Sequence, residues 1–360
     1  MLPQITPPQS GSHRNTVAPP AAAISWRPDS GESPLPVPSK ENNPDVELSA
    51  VIVGIAADEP QVLVVRPENG ELEGLPSGPL ESTHRTLGAG LRSWVERQTG
   101  QLLGYVEQLY TFGDRNRTRG GRTLSIGYLA LVRELKPARH AGAAWRSAYR
   151  YFPWEDLRAG RPAVLGQIEA QLRRWIADAP ATAERRLREE RARATFSLGG
   201  RPWNEERVLE RYELLYEVGL VAEAHRDRVR IWASAGDALD EGASMFADHR
   251  RVLATALARL RGKIKYRPVA FEVMPPTFTF LQLQRAVEAL AGLQLHKPNF
   301  RRLVESQQLV EDTGQLAAET AGRPARLLRY RREVLAEMPA PLARLPVSAG
   351  KTRKKVVNPA

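Results

Sequence analysis

Two rhythms of apolar positions divide the chain from residue 46 onward. Short, dense runs come first: 49–56 and 61–66 read as two strands joined by a turn at Asp58-Glu59-Pro60. A Gly/Pro-rich loop follows, then a helix over about 83–99, with Gly100 placed where a left-handed cap is wanted. The runs 106–112 and 123–132 predict two more strands around the polar loop 113–122, and 148–152 a short fifth before a turn at Pro153-Trp154. From about 160 to 245 the period becomes helical, with segments 164–176, the charge-laced 183–193, and 205–218. Residues 246–265 continue as a long amphipathic helix.

The last third keeps the helical period in two short pieces. A helix over 279–290 sets Phe280, Leu283, Val287 and Leu290 on one side and stops at Gly292. After the link 293–296, a second helix opens with Lys297-Pro298-Asn299, proline being tolerated in a first turn. It buries Phe300, Leu303 and Val304 and leaves Asn299, Arg301, Arg302, Glu305 and Ser306 outward. Residues 309–314 and 322–331 then read as a β-wing. Helix, short turn, helix and basic wing predict a winged helix-turn-helix, bounded at about 266–337.

Composition narrows the class. The 360 residues are 42% hydrophobic and 26% charged, enough to bury a sizeable core over two or three domains. Residues 1–45 hold ten of the 28 prolines without hydrophobic periodicity and read as a disordered leader. No run of about 18 apolar residues and no charged-then-apolar leader is present, so neither a membrane span nor export is expected. The absence of cysteine excludes disulfides, a thiolate nucleophile and a cysteine zinc site, which fits a cytoplasmic protein. Charge is concentrated at one end: residues 251–360 carry 20 Lys+Arg against 8 Asp+Glu, so of the +11 net charge everything before residue 251 contributes about −1. A basic module facing a polyanion has this distribution. The outward Asn299, Arg301 and Arg302, with Lys297 and Ser306 beside them, suit a DNA major groove, where Asn pairs adenine and Arg pairs guanine. Arg323, Arg326 and Arg329 of the wing are set to clamp phosphates. RNA binding or a protein contact is the alternative use of the same basic surface.

Two strands, the Leu75-Pro76-Ser77-Gly78 loop and a helix ending at Gly100 resemble the Nudix hydrolases, whose box reads G-x5-E-x7-R-E-U-x-E-E-x-G-U. Carboxylates at i, i+3 and i+4 of that helix lie on one face and hold Mg²⁺ beside a pyrophosphate. Counted back from Gly100, the three positions are Trp94, Arg97 and Gln98, and the box arginine position is Ser93. The interval from Gly78 to Gly100 is one residue longer than the pattern, so no upstream glutamate is identified. Arg97 puts a positive charge where the cation belongs. A shifted register would recruit Glu96 and Glu81, and two scattered carboxylates seldom hold a catalytic magnesium. The expectation is therefore no enzyme and no metal; a pyrophosphohydrolase with an atypical metal site and an appended nucleic-acid domain is the alternative. The stretch 212–220 mimics the end of the same box with Glu213 and Glu217, but no strands flank it and it reads as an amphipathic helix burying Val208, Tyr212 and Leu215.

Ligand binding can outlast hydrolysis. The loop 113–122 offers Arg115, Arg117, Arg119 and Arg122 as forked donors for phosphates, with Tyr110 or Phe112 to stack an adenine or line a cleft, and Arg66, at the end of the 61–66 strand, is a further candidate ligand residue. The Tyr110-Thr-Phe-Gly-Asp114 segment, then Gly121-Arg122, Ser125 and Tyr128-Leu-Ala-Leu131, resembles ADP-ribose-recognising Nudix-like domains. Taken with the Phe246–Arg250 helix, Leu260–Tyr266, Asn299-Phe-Arg-Arg302 and Gly322–Arg326, the order resembles the Nudix-related transcriptional regulators of bacterial NAD metabolism. The long helical insertion is more similar to the alphaproteobacterial branch that represses NAD synthesis. The resemblance implies an α+β protein: a Nudix-like α/β/α sandwich over 46–265 interrupted by an insertion at 160–245, the winged helix at 266–337, and a basic tail at 338–360. It further implies a homodimer on a palindromic double-stranded DNA operator and an effector such as ADP-ribose, NAD or another adenine nucleotide.

Overall fold

A computed structural model describes residues 45–66, 70–113, 123–137, 142–227, 232–233, 239, 242–266, 268–317 and 324–331. The leader expected before residue 45 and the tail expected after residue 337 lie outside these residues, as does the polar loop from residue 114.

Six strands form the central sheet: β1 (Asp45–Ala56), β2 (Glu59–Val65), β3 (Ser77–Pro79), β4 (Tyr105–Phe112), β5 (Thr123–Leu131) and β6 (Ala143–Ser147). Their order is β4-β5-β1-β2-β6, with β3 beside β1. β1 and β5 run parallel and the other pairs antiparallel. Side chains alternate across the sheet. One face of β1 sends Leu48, Ala50 and Ile52 against Leu91 and Val95 of helix α1 (Leu87–Thr99). The opposite face sends Val51 and Val53 into a larger core with Val252, Ala256 and Leu260 of helix α6 (His249–Tyr266). The result is the helix–sheet–helix sandwich that the resemblance implies.

Among the described residues, four helices come between β6 and α6 in chain order: α2 (Val164–Ala177), α3 (Thr182–Phe196), α4 (Val208–Val218) and α5 (Ala222–Arg226). They share the larger core, and α4 packs along α6. In α4, Val208, Tyr212 and Leu215 are buried, while Glu213 pairs with Arg251 at 2.8 Å and Glu217 with Arg191 at 2.7 Å. These carboxylates therefore brace neighbouring helices.

Several boundaries differ from expectation. The first turn is Ala57-Asp58, both at positive φ, and Glu59 and Pro60 already belong to β2. Helix α1 begins at Leu87, where Thr86 caps it by accepting from Ala89 N at 3.1 Å. α6 begins at His249 rather than Phe246. The expected strand at 148–152 is a short 3₁₀ turn, Ala148–Arg150, and the strand is the less apolar β6 just before it. Tyr149, Tyr151 and Phe152 are all buried because each reaches a different interior partner, which a half-buried strand with period two does not allow.

The C-terminal module comprises helix α7 (Phe280–Ala291), helix α8 (Lys297–Ser306) and the hairpin of β7 (Val310–Leu316) with β8 (Arg326–Tyr330). Thr279 and Gln282 form a reciprocal capping box at the start of α7. Gly292 ends it in the left-handed region, φ 71°. Phe278 bridges to Leu328 with hydrogen bonds of 2.9 and 2.8 Å, and Phe271 stacks on Tyr330 at 4.2 Å, so the hairpin is anchored to the module's core.

Candidate DNA interface and nucleotide site

Helix α8 lies with Phe300 and Val304 buried and Leu303 half-buried. Its opposite face exposes Lys297, Asn299, Arg301, Arg302 and Ser306 on one surface, as the helical spacing predicts. Ser306 turns its hydroxyl back to Leu303 O at 2.9 Å. Arg301 lies over the Phe280 ring at 5.0 Å and donates from Nε to Glu305 at 2.8 Å, leaving its two terminal nitrogens without a protein acceptor among the described residues. On the wing, Arg326 meets Asp312 at 2.7 Å and Arg329 meets Glu311. Arg323 lies outside the described residues. An exposed helix of this width and chemistry fits a major groove, and a two-stranded wing beside it fits the flanking backbone.

On α1, the three positions where Nudix carboxylates would stand perform a different task. Gln98 pairs with the backbone of one residue of β3: Ser77 N donates to Oε1 at 3.1 Å, and Nε2 donates to Ser77 O at 2.8 Å. Trp94 donates from Nε1 to Pro79 O at 2.9 Å, and its ring lies flat over Gly78. Arg97 stacks on that ring at 4.0 Å and reaches Glu81 at 3.5 Å. The three side chains thus clamp β3 onto α1. Neither amide end of Gln98 is left for a ligand, and Glu81 faces a guanidinium, so these residues do not fit a magnesium site. Among the described residues no group of three or more His, Asp or Glu is placed to hold a metal ion.

The expected ligand residues are only partly brought together. Arg66 and Tyr110 lie toward the same end of the sheet, but β5 and β1 separate their strands, about 14 Å at the usual strand spacing. Tyr110 is 64% exposed. Phe112 is 3% exposed and packs beside Gly127, so it supports Tyr110 edge-on at 5.5 Å and does not offer a stacking face. Arg115, Arg117, Arg119 and Arg122 lie outside the described residues. Arg66 faces Glu73 at 3.5 Å.

Glu73 gave no sequence signal, yet it organises this end. It is buried and accepts from Tyr151 Oη at 2.7 Å and Arg146 Nε at 2.9 Å. Burial opposes its ionisation, but those hydrogen bonds and the charge of Arg146 outweigh burial and hold its carboxyl below the usual range. Its backbone carbonyl accepts from Phe246 N at 2.9 Å, and Leu75 N donates to His249 Nδ1 at 2.9 Å. The start of α6 therefore grips the loop that leads into β3.

The other end of α6 holds the C-terminal module through a fully buried charge triad. Glu155 accepts from Arg211 of α4 at 2.5 and 2.8 Å and from Arg261 of α6 at 2.6 Å. Arg261 also donates to Leu290 O at 3.0 Å, and Tyr149 Oη donates to Ala289 O at 2.5 Å, capping the last turn of α7. Leu157 N donates to Gly292 O at 2.8 Å. A Cβ on Gly292 would run into Glu155 O. Burial disfavours the Glu155 carboxylate, but the two guanidiniums outweigh it and keep its pKa low. Burial likewise pushes the Tyr149 hydroxyl up to about 12. One buried anion thereby joins α4, α6 and the turn between α7 and α8.

Residues 270–330 match the model of the "NrtR DNA-binding winged helix domain". The chain is similar to the "ADPR responsive transcriptional repressor NtrR" of Acinetobacter baylyi, 40% identical over 84 residues, 23% of this chain and 33% of that protein. The match thus spans about a third of that relative's length. Among solved structures, Shewanella oneidensis NrtR complexed with a 27mer DNA aligns with a TM-score of 0.49 at 20% identity, covering 81% of this chain and 95% of that one. A MutT/nudix family protein from Enterococcus faecalis aligns with a TM-score of 0.45 at 13% identity, covering 81% and 88%. The family match and the curated relative agree with the resemblance read from the sequence.

Proposed function

We propose that this chain is a transcriptional repressor of NAD biosynthesis genes whose Nudix-like sandwich senses ADP-ribose, NAD or another adenine nucleotide without hydrolysing it. The observation that carries the reading is the α8 face, exposed Lys297, Asn299, Arg301 and Arg302 backed by buried Phe300 and Val304, within a segment that matches a DNA-binding domain model. ADP-ribose is the first effector to test because the curated relative is named for its response to it. Tyr110 supplies the exposed ring for an adenine, and Arg66 with Arg115, Arg117 and Arg122 the cations for its phosphates. The clamp made by Trp94, Arg97 and Gln98 argues against metal-assisted hydrolysis, since it puts a cation and two engaged side chains where magnesium ligands would be.

The α6 helix supports a route between the ends. His249 holds the loop before β3, and Arg261, twelve residues and about 18 Å further along, holds α7. A ligand that shifts the loop would tilt α6 and change the attitude of α8. The coupling needed is modest, about 1 to 3 kcal/mol, or 5- to 150-fold in affinity. A homodimer on a palindromic operator, with half-sites about one helical turn apart, completes the proposal. Arg301→Ala combined with Arg302→Ala is expected to abolish sequence-selective binding with the fold intact. Footprints unchanged in that variant would remove those residues from the role.

A further inference from the structure

The DNA-contacting face carries its own anions. Over residues 297–317 and 324–331 the sequence holds six cations, Lys297, Arg301, Arg302, Arg326, Arg329 and Arg331, and three carboxylates, Glu305, Glu311 and Asp312. Every one of those carboxylates is paired with an arginine expected to touch DNA: Glu305 with Arg301 at 2.8 Å, Asp312 with Arg326 at 2.7 Å, and Glu311 with Arg329.

We propose that Glu305, Glu311 and Asp312 are specificity-determining residues, fixing the three guanidiniums in place while weakening attachment to any duplex that offers phosphates alone. The inference rests on the DNA-binding reading above and adds to it. Two features of the geometry carry it. In the Glu305 and Glu311 pairs the arginine uses Nε, so the carboxylate orients the guanidinium and leaves the terminal nitrogens for a bidentate partner. Asp312 is itself held, accepting from Gly314 N at 2.9 Å, with Gly314 at φ 77°, which sets Asp312 toward Arg326. That backbone bond, ahead of Arg326, keeps the Asp312 carboxyl low, so it remains an anion at neutral pH.

A phosphate approaching such an arginine meets a resident negative charge a few ångströms behind it. Non-specific affinity comes almost wholly from phosphate neutralisation and counterion release, so it bears the full effect. A base-edge contact of Arg301 in the major groove benefits from the guanidinium that Glu305 fixes, so selective binding gives up less. An exposed pair of this kind is worth roughly two- to fivefold in affinity, and three together roughly ten- to a hundredfold.

The test uses the full chain and two fluorescent duplexes: one enriched from a random pool by the wild-type protein, one of scrambled sequence and equal length. Anisotropy titrations across a salt series compare wild type with Glu305→Gln, Glu311→Gln, Asp312→Asn and the triple variant. These changes keep side-chain size, and Asp312→Asn keeps an oxygen to accept from Gly314 N. The triple variant is expected to bind the scrambled duplex roughly ten- to a hundredfold tighter, with a steeper salt dependence. Its preference for the enriched duplex should shrink, because Glu305→Gln also loosens Arg301. Scrambled-duplex affinity and preference both unchanged, in variants that melt like wild type, would overturn the proposal while leaving DNA binding standing. A wild-type protein that enriches no sequence and binds neither duplex at low salt would overturn both.

Discussion

Replacing Glu155 by Gln would leave the guanidiniums of Arg211 and Arg261 fully buried beside a neutral amide. In the native protein each guanidinium has a short bond to the carboxylate, and all three groups are essentially inaccessible to solvent. Their backbone acceptors, Thr195 O, Asn204 O, Glu205 O and Leu290 O, satisfy hydrogen bonds but do not balance the two positive charges. Removing one partner of a buried ion pair costs about 3 to 5 kcal/mol, because the remaining charge is desolvated without compensation. For a folded unit of this size that is roughly 6 to 10 °C in Tm. The pH dependence gives a second reading. The folded-state pKa of Glu155 is depressed, so its contribution is fully present above the unfolded glutamate value of about 4.3 and is lost as pH falls through the lower folded value. Calorimetry of wild type and Glu155→Gln at pH 7 and again below pH 4 should show a large Tm gap that narrows in acid. A variant within 2 °C of wild type at pH 7, or a gap that widens in acid, would refute the assignment of Glu155 as the buried anion that holds α6 to α7.

Three further outcomes follow from the same geometry. Gly78→Ala places a methyl against the Trp94 ring and should cost about 1 to 3 kcal/mol by chemical denaturation, with much of the loss recovered in combination with Trp94→Ala. Gln98→Glu turns the donor to Ser77 O into a second acceptor and should destabilise by about 1 to 3 kcal/mol, with no magnesium-dependent release of AMP from ADP-ribose in a chromatographic assay. Gly292→Ala is strained at φ 71° and drives a methyl toward Glu155 O, so it should weaken duplex binding in anisotropy measurements even though residue 292 carries no side chain to the duplex.

The local features of the fold were legible where they obey short-range rules. Gly100 and Gly292 cap their helices in the left-handed region, and the 3.6 period sorted α8 into Phe300 and Val304 inside, Arg301 and Arg302 outside. Periodicity misplaced β6, because the burial of Tyr149, Tyr151 and Phe152 reflects three separate interior partners and not a pleated surface. It also missed β3, three residues held by side chains of α1 and not by apolar content. The loss of the carboxylate row was visible in the sequence; what replaced it was not, since Gln98 meets Ser77 across 21 positions. Glu155, Arg211 and Arg261 are likewise invisible as a group, being 56 and 106 positions apart, and nothing in the local pattern of a helix marks which arginine turns inward.

The central claim is that one end of the chain reads DNA while the other binds a nucleotide it cannot cleave. The most direct measurement titrates the full-length protein on its enriched duplex with and without ADP-ribose and Mg²⁺, following anisotropy and AMP in the same samples. The account predicts a 5- to 150-fold change in duplex affinity with ADP-ribose and no AMP. Rapid AMP formation dependent on Mg²⁺, with duplex affinity indifferent to sequence and to ADP-ribose, would contradict it.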